Sequence, residues 1–374
     1  VVLINVPLGL LALFVVTRVL HLPHVRREHR IDWQGAVALA IGLVPLLIVA
    51  EQGRGWGWTS GRTLSLIGLA VIGLVAFLLA ERRIGDDGLI PLKHFRNPTF
   101  SVGNAAGLVI GAAMFGGFAA LPLYLQIVKG ASPTQAGLML LPMTVGIMSG
   151  SMITGLAISR TGRYRIYPII GAALLVIGLL LFSRVGVDTP LWQVGIYMVI
   201  IGLGLGFNMQ TLTIAVQSSL PPSEMGVATS SATFSRQMGG TLGTAVFLSI
   251  LFSTVGDRIA EAFRASAPTA AFRDALGDPA VLANPANRPV LDALAGGGVG
   301  GNATGVLDDS SFLSQLDPRL ARPFLVGFSD SISLVFAVAA VVAALAFLLL
   351  LFLREVPLRT ESGLQARVTE EAHQ

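Results

Sequence analysis

Apolar runs of about twenty residues recur along this chain at short intervals, and they limit its fold more than any other feature. Runs such as Leu64 to Ala80 and Ser331 to Leu353 are too long and too frequent to be hidden one after another in a water-soluble core. A helix crosses roughly 30 Å of hydrocarbon with about 20 residues. Runs of that kind fall at about 1–17, 33–51, 63–80, 100–127, 134–158, 166–184, 191–216, 237–253 and 331–353. The expected fold class is an all-α polytopic membrane protein with nine transmembrane helices. Charge density agrees: 12% of residues are charged, against about one quarter in a soluble domain, so the chain cannot clothe itself in polar surface. Pro45, Pro122 and Pro142 fall inside runs, which membrane helices tolerate because neighbouring groups re-satisfy the freed backbone.

The remaining composition excludes more than it assigns. A pI near 9.9 invites a nucleic-acid partner, but the basic residues sit in short connections and form no stripe or face, so none is expected. Without cysteine there is no thiolate metal site, disulfide or thiol nucleophile. No cleavable leader is recognisable, and nothing points to a cofactor. His21, His24 and His29 cluster in one loop, but the adjacent Arg26, Arg27 and Arg30 oppose cation binding, so no metal is expected there.

Lys and Arg are retained on the cytoplasmic side of short loops, and one alternate set of connections collects them. Arg18 to Arg30 follow the first run, Arg82, Arg83, Lys93 and Arg96 the third, and Arg160, Arg163 and Arg165 the fifth; Arg236 precedes the eighth, and Arg354, Arg359 and Arg367 lie in the tail. The other short connections hold Arg54, Arg62, Lys129 and Arg184, and Trp56 and Trp58 suit an outer interface belt. The tail is therefore expected inside. Nine spans then place Val1 outside, in apolar sequence without an initiator Met, and an odd number of upstream spans is expected to be missing. Residues 254–328 are rich in Ala, Gly, Pro and Asp, with a glycine run from Gly296 to Gly301. They read as an external loop carrying at most a short helix near Asp257 to Ala265, with partial disorder elsewhere.

Between the fifth and sixth runs stands Gly155-Leu-Ala-Ile-Ser159-Arg160-Thr-Gly162-Arg163-Tyr164-Arg165. Small residues there let helices turn tightly, and arginines can hold helix C-terminal carbonyls in one conformation and release them in another. A plain positive loop would look similar. The pattern resembles the cytoplasmic loop motif of the major facilitator superfamily, and further patches narrow the resemblance. Ile4-Asn5-Val6-Pro7-Leu8-Gly9, Asp32-Trp33-Gln34-Gly35, Leu121-Pro122-Leu123-Tyr124-Leu125-Gln126 with Gly130-Ala-Ser-Pro133, Ala136-Gly137 through Leu141-Pro142, and Arg236-Gln-Met-Gly239-Gly240-Thr-Leu-Gly243 are similar to the fourteen-span drug:proton antiporters of the EmrB/QacA type.

That resemblance implies a helical bundle of major facilitator type, of which this chain would carry spans six to fourteen. Residues 1–20 would be the last span of an amino-terminal six-helix domain and 21–99 linker loops with two extra helices. Residues 100–353 would form the carboxy-terminal six-helix domain and 354–374 a cytoplasmic tail. Ser159 departs from the pattern, which often has Asp there. Gly155, Ser159, Arg160, Gly162 and Arg163 would form a gating loop, while Arg236, Gly239 and Gly243 would serve helix packing or gating. Arg236 reads more simply as a snorkelling anchor at a helix start.

Polar side chains inside a span should face a cavity or another helix. Gly206, Gln210, Thr213 and Gln217 share one helical face with Asn208 nearby. Asn104, Gly111, Phe115 and Phe118 share another, with Gln126 near its outer end. These two stripes are the candidate substrate cavity, and interhelical hydrogen bonding is the alternative for each residue. Amide, methionine and aromatic side chains together suit bulky amphipathic or cationic molecules. Glycine pairs at four-residue spacing, Gly146 with Gly150, Gly202 with Gly206 and Gly239 with Gly243, allow close crossings; Gly202-Leu-Gly204-Leu-Gly206 lies within a span and is no dinucleotide fingerprint. No carboxylate or histidine lies deep in any run, so a coupling acid is expected in the missing spans. The expected function is proton-coupled export of drug-like or amphipathic small molecules, without covalent chemistry, across a bacterial cytoplasmic membrane. Its partners would be substrate, protons, the bilayer and the missing spans. An exporter of one metabolite or lipid, or a membrane scaffold or sensor, remain open alternatives.

Overall fold

A computed structural model describes residues 5–19, 32–57, 59–85, 88, 92–295, 313 and 315–356, and every regular element among them is helical. In chain order the helices are α1 (Asn5–Val19), α2 (Trp33–Trp56), α3 (Gly61–Ile84), α4 (Pro98–Leu123), α5 (Pro133–Met139), α6 (Leu141–Thr161) and α7 (Ile166–Phe182). They continue with α8 (Leu191–Ser218), α9 (Met225–Ser266), α10 (Ala270–Gly277), α11 (Pro279–Ala283), α12 (Arg288–Ala295) and α13 (Pro318–Leu351). Among the described residues seven helical segments are long and apolar enough to cross a membrane: α2, α3, α4 with the π-turn at Tyr124–Val128, α5 with α6, α8, α9 and α13. The apolar stretches of α1 and α7, Gly9–Val19 and Ile166–Phe182, are shorter. The nine expected runs thus become seven helices of spanning length and two shorter ones. The His21, His24 and His29 cluster, the glycine run and the tail from residue 357 lie outside the described residues.

Local chemistry sets several helix starts. Asp32 opens α2: its Oδ1 accepts from the Gly35 N–H at 2.6 Å, and a Cβ on residue 35 would come within 2.0 Å of the other carboxylate oxygen. The Asp-Trp-Gln-Gly run is therefore a cap that requires glycine at its fourth position. Asn97 caps α4 by accepting from Thr99 and Phe100, and its amide donates to the Ser219 carbonyl at 2.8 Å, tying the start of α4 to the end of α8. Ser132 and Gln135 form a reciprocal capping box on α5. Gly162 ends α6 at φ +67°, in the left-handed region that favours glycine.

Packing divides the helices into a hairpin, α2 against α3, and a bundle of α4, α6, α7, α8, α9 and α13. In the bundle α4 pairs with α9 and α13, α8 with α6 and α7, and α7 with α13. The most apolar windows of α4 and α8 are 56% buried, whereas those of the other five spanning segments are 39% or less, so α4 and α8 are its central helices. Two crossings rest on glycine. A Cβ on Gly239 would lie 1.8 Å from the Leu108 carbonyl oxygen and one on Gly243 2.4 Å from that of Ala112, while Gly202 and Gly206 meet the Met143 and Ile147 carbonyls in the same way. Backbones this close exclude any side chain, and the four-residue spacing keeps both glycines of a pair on one seam.

The expectation of a loop over residues 254–328 needs correction where the structure describes it. α9 runs on to Ser266, α10 to α12 follow, and α13 begins at Pro318. Val255, Ile259, Ala262 and Phe263 are buried on one face of the α9 extension, and Phe272, Ala275, Val281 and Val290 join the same core as α13's Leu320 and Phe324. These spacings are helical, but the small and polar residues between them lower the mean hydropathy and hide the pattern. Asp278, Asp317 and Arg319 fasten this layer, with Arg319 Nη2 3.0 Å from Asp278 and Nε 2.9 Å from Asp317. Those contacts hold both carboxyls below the usual carboxylate range, the Arg319 hydrogen bond being the largest cause.

Candidate functional site

A cavity of about 590 Å³ opens between α2, α4 and α9, within the usual range for small-molecule sites, about 300–1,000 Å³. Phe115 supplies an aromatic wall from α4 and Leu47 an apolar one from α2. The polar wall comes from one face of α9: Gln237, Thr241, Thr244 and Ser249. Every described residue lining it is uncharged, so these residues offer apolar surface with scattered hydrogen-bonding groups. Phe115 is held by the α4–α9 seam, since a Cβ on Gly240 would fall 2.5 Å from its ring, and it meets Phe118 edge to face at 6.4 Å.

Of the two polar stripes, only Phe115 reaches this cavity. Phe118 points instead to a void of about 10 Å³ among Met143, Leu175 and Phe336 in the bundle core. Asn104 is buried; its amide donates to the Phe100 carbonyl at 2.9 Å and its Oδ1 accepts from Ser235 of α9 at 3.2 Å. Asn208 is also buried, donating to the Gly204 carbonyl at 2.8 Å, with its amide against Gly171 of α7. Both asparagines therefore occupy helix interfaces. Gln217 bridges α8 to α9 through Thr229 at 2.8 Å, and Thr213 bonds back to the Met209 carbonyl at 3.1 Å. Gln210 is exposed, and Gln126 lies part-buried in the π-turn.

Arg236 is not at a helix start. α9 begins at Met225, and the Arg236 guanidinium crosses to α8, where Nη1 donates to the Met209 carbonyl at 3.4 Å. Its backbone oxygen lies against Gly111 of α4, 2.1 Å from where a Cβ would stand. Arg236 and Phe115 are thus one helical turn apart along the same seam.

Of the expected gating loop, Gly155, Ser159 and Arg160 lie in the last turns of α6 itself: Gly155 has open space beside it, Ser159 Oγ donates to the Leu156 carbonyl, and Arg160 and Arg163, the latter just past the Gly162 cap, are exposed. The contacts to another helix come from the two residues that follow. Arg165 Nη2 donates to the Leu351 carbonyl at the end of α13 at 3.1 Å, and the buried Tyr164 hydroxyl accepts from the Val356 N–H at 2.9 Å. Burial pushes the Tyr164 phenol above its usual range, so it stays protonated at neutral pH. At the opposite end of the bundle Lys129 donates to the Val187 and Thr189 carbonyls, each at 2.6 Å; burial pushes its ammonium pKa down, with Asp188 opposing.

Sequence reasoning missed the α9 face, although Gln237, Thr241, Thr244, Leu248 and Phe252 repeat at helical spacing. Threonine and serine hydroxyls satisfy themselves on their own helix, so they raise little suspicion in an apolar run. Thr241 does this, donating to the Gln237 carbonyl at 3.0 Å.

Comparison with known proteins agrees with this architecture. Residues 1–244 match the family described as the Major Facilitator Superfamily. A protein of Streptomyces rimosus named a tetracycline resistance determinant is 38% identical over 87% of this chain and 92% of its own length. An uncharacterised transporter of this type from Mycobacterium tuberculosis is 32% identical over 95% of this chain, which spans only 47% of that protein. Multidrug resistance protein 3 of Bacillus subtilis is 28% identical over 96% of this chain and 65% of its own length. With most of its helices long and apolar enough to span a bilayer, and a family match over more than half its length, this chain belongs to the major facilitator superfamily of membrane transporters.

Proposed function

We propose that the intact protein is a secondary exporter of drug-like or amphipathic small molecules, of the fourteen-span drug:proton antiporter type, in a bacterial cytoplasmic membrane. The observation that carries this reading is the uncharged, aromatic and hydroxyl-lined cavity on α9 beside Phe115, whose surface gives dispersion and scattered hydrogen bonds without imposing one ligand geometry. Relatives whose names speak of tetracycline and multidrug resistance support it. Alternating access would come from rocking of two helical domains about a midplane site, with the tail and the loop after α6 on the cytoplasmic side. The Tyr164 and Arg165 contacts to the end of α13 would hold the inner end of the bundle together in one state.

The test is efflux by the intact protein. Inverted vesicles carrying it should accumulate several unrelated amphipathic dyes when a proton gradient is imposed, and a protonophore should abolish the accumulation. Transport of a single metabolite, or transport indifferent to the gradient, would overturn the proposal.

A further inference from the structure

Arg236 directly precedes the cavity-lining Gln237 on α9, and its surroundings leave most of its donors unused. Its guanidinium has five N–H donors in a planar fork, and the hydrogen bond it makes is the single long one to the Met209 carbonyl. Among the described residues it has no salt-bridge partner. Arg236 meets Gly111 of α4 through its backbone oxygen and the Met209 carbonyl of α8 through its guanidinium, and neither residue is acidic. Phe115 stands one turn further along the same seam, against Gly240, about 6 Å away along the helix.

We infer that Arg236 is the anion-recognising residue of the substrate site, so that the preferred cargo is an aromatic amphiphile carrying one acidic group, a carboxylate or an ionised enol or phenol. The acidic group takes the free face of the guanidinium, and the ring system lies over Phe115 into the uncharged cavity. A partly desolvated arginine with spare donors binds an oxyanion by charge-assisted, often bidentate hydrogen bonds. The described lining beyond it is neutral and adds apolar contact. This rests on the export reading and names the substrate class for the same site.

The experiment uses the intact protein and two probes that differ by one negative charge and one methyl group: a polycyclic fluorophore bearing one carboxylate, and its methyl ester. Transport is read in inverted vesicles, and equilibrium binding is read by fluorescence polarisation on detergent-purified protein. Arg236→Gln should weaken the carboxylate probe about 10- to 100-fold, the range for one charge-assisted contact, and leave the ester within about threefold. Arg236→Lys keeps the charge and loses the fork, and should recover part of the loss. Gln210→Glu, which places a carboxylate beside Met209 on the facing helix, should exclude the anionic probe even with Arg236 present, and serves if Arg236→Gln does not fold. Equal loss of both probes in Arg236→Gln would make the residue structural or part of proton coupling, and unchanged binding of the carboxylate probe would make it a spectator; either overturns the inference. Failure of the wild type to transport any probe, with charge-selective binding intact, would count against export and leave the anion site standing.

Discussion

Replacing Gly239 by alanine should loosen the bundle at its most crowded crossing. The new Cβ would lie 1.8 Å from the Leu108 carbonyl oxygen and 3.0 Å from that residue's Cα. Ordinary C···O contact is about 3.3 Å, so α9 must retreat from α4 by roughly 1.5 Å. Backbone atoms cannot rotate away as a flexible side chain could. A gap of that size forfeits more than half of each contact along the seam; at about 0.1–0.2 kcal/mol per atom pair, losing it over roughly twenty pairs amounts to about 1–2 kcal/mol. That agrees with the usual cost of overpacking, about 1–3 kcal/mol. Reversible unfolding in mixed detergent micelles, followed by circular dichroism, measures it. Gly155→Ala is the control, because open space surrounds that position and alanine there should be neutral or slightly stabilising. The close-crossing account is refuted if Gly239→Ala unfolds like the wild type, or if the control loses as much.

The same geometry makes three further predictions. Asn104→Ala should cost about 1 kcal/mol, the range for an interhelical hydrogen bond in a membrane, because it strands the Ser235 hydroxyl; the same unfolding assay reads it, and the set of transported probes should not change. Tyr164→Phe removes the acceptor for the Val356 N–H and should cost about 0.5–1.5 kcal/mol, with faster amide exchange confined to the residues after α13. The Asp278 and Asp317 carboxyls are held low by Arg319, so their contribution is present above the ordinary carboxylate pKa of about 3.9 and is lost as pH falls through the lower folded values. Protection factors for amide exchange in α10 to α12 should therefore fall below about pH 4, and Arg319→Gln should remove that acid dependence.

The helix positions were legible because lipid admits few backbone solutions and apolar length reports them directly. What stayed hidden is informative. The α9 extension carries Val255, Ile259, Ala262 and Phe263 on a helical period, but a scan for apolar length passes over an amphipathic segment. A polar residue in a span calls for a partner, yet composition cannot choose between a cavity and a neighbouring helix. Asn104 and Asn208 chose the helix, each donating to a carbonyl of its own preceding turn. Arg236 looked like an anchor because its run of apolar sequence begins just after it, while the helix itself begins at Met225. The Tyr164 and Arg165 contacts leave no local pattern, because their partners lie at and just beyond the end of α13. A fully buried tyrosine in a basic loop can only be recognised once its partner from the far end of the chain is in view.

The absence of cysteine makes the central claim, that the α9 face beside Phe115 is the substrate path, open to direct measurement. Thr241→Cys and Val246→Cys place single thiols on the cavity wall and on another exposed face of the same helix. In intact protein otherwise free of cysteine and reconstituted in lipid, a water-soluble maleimide should label Thr241→Cys and not Val246→Cys on the exposed apolar face, and a transported substrate should slow the first reaction. Equal labelling of both positions, or labelling of Thr241→Cys that no substrate slows, would contradict the account.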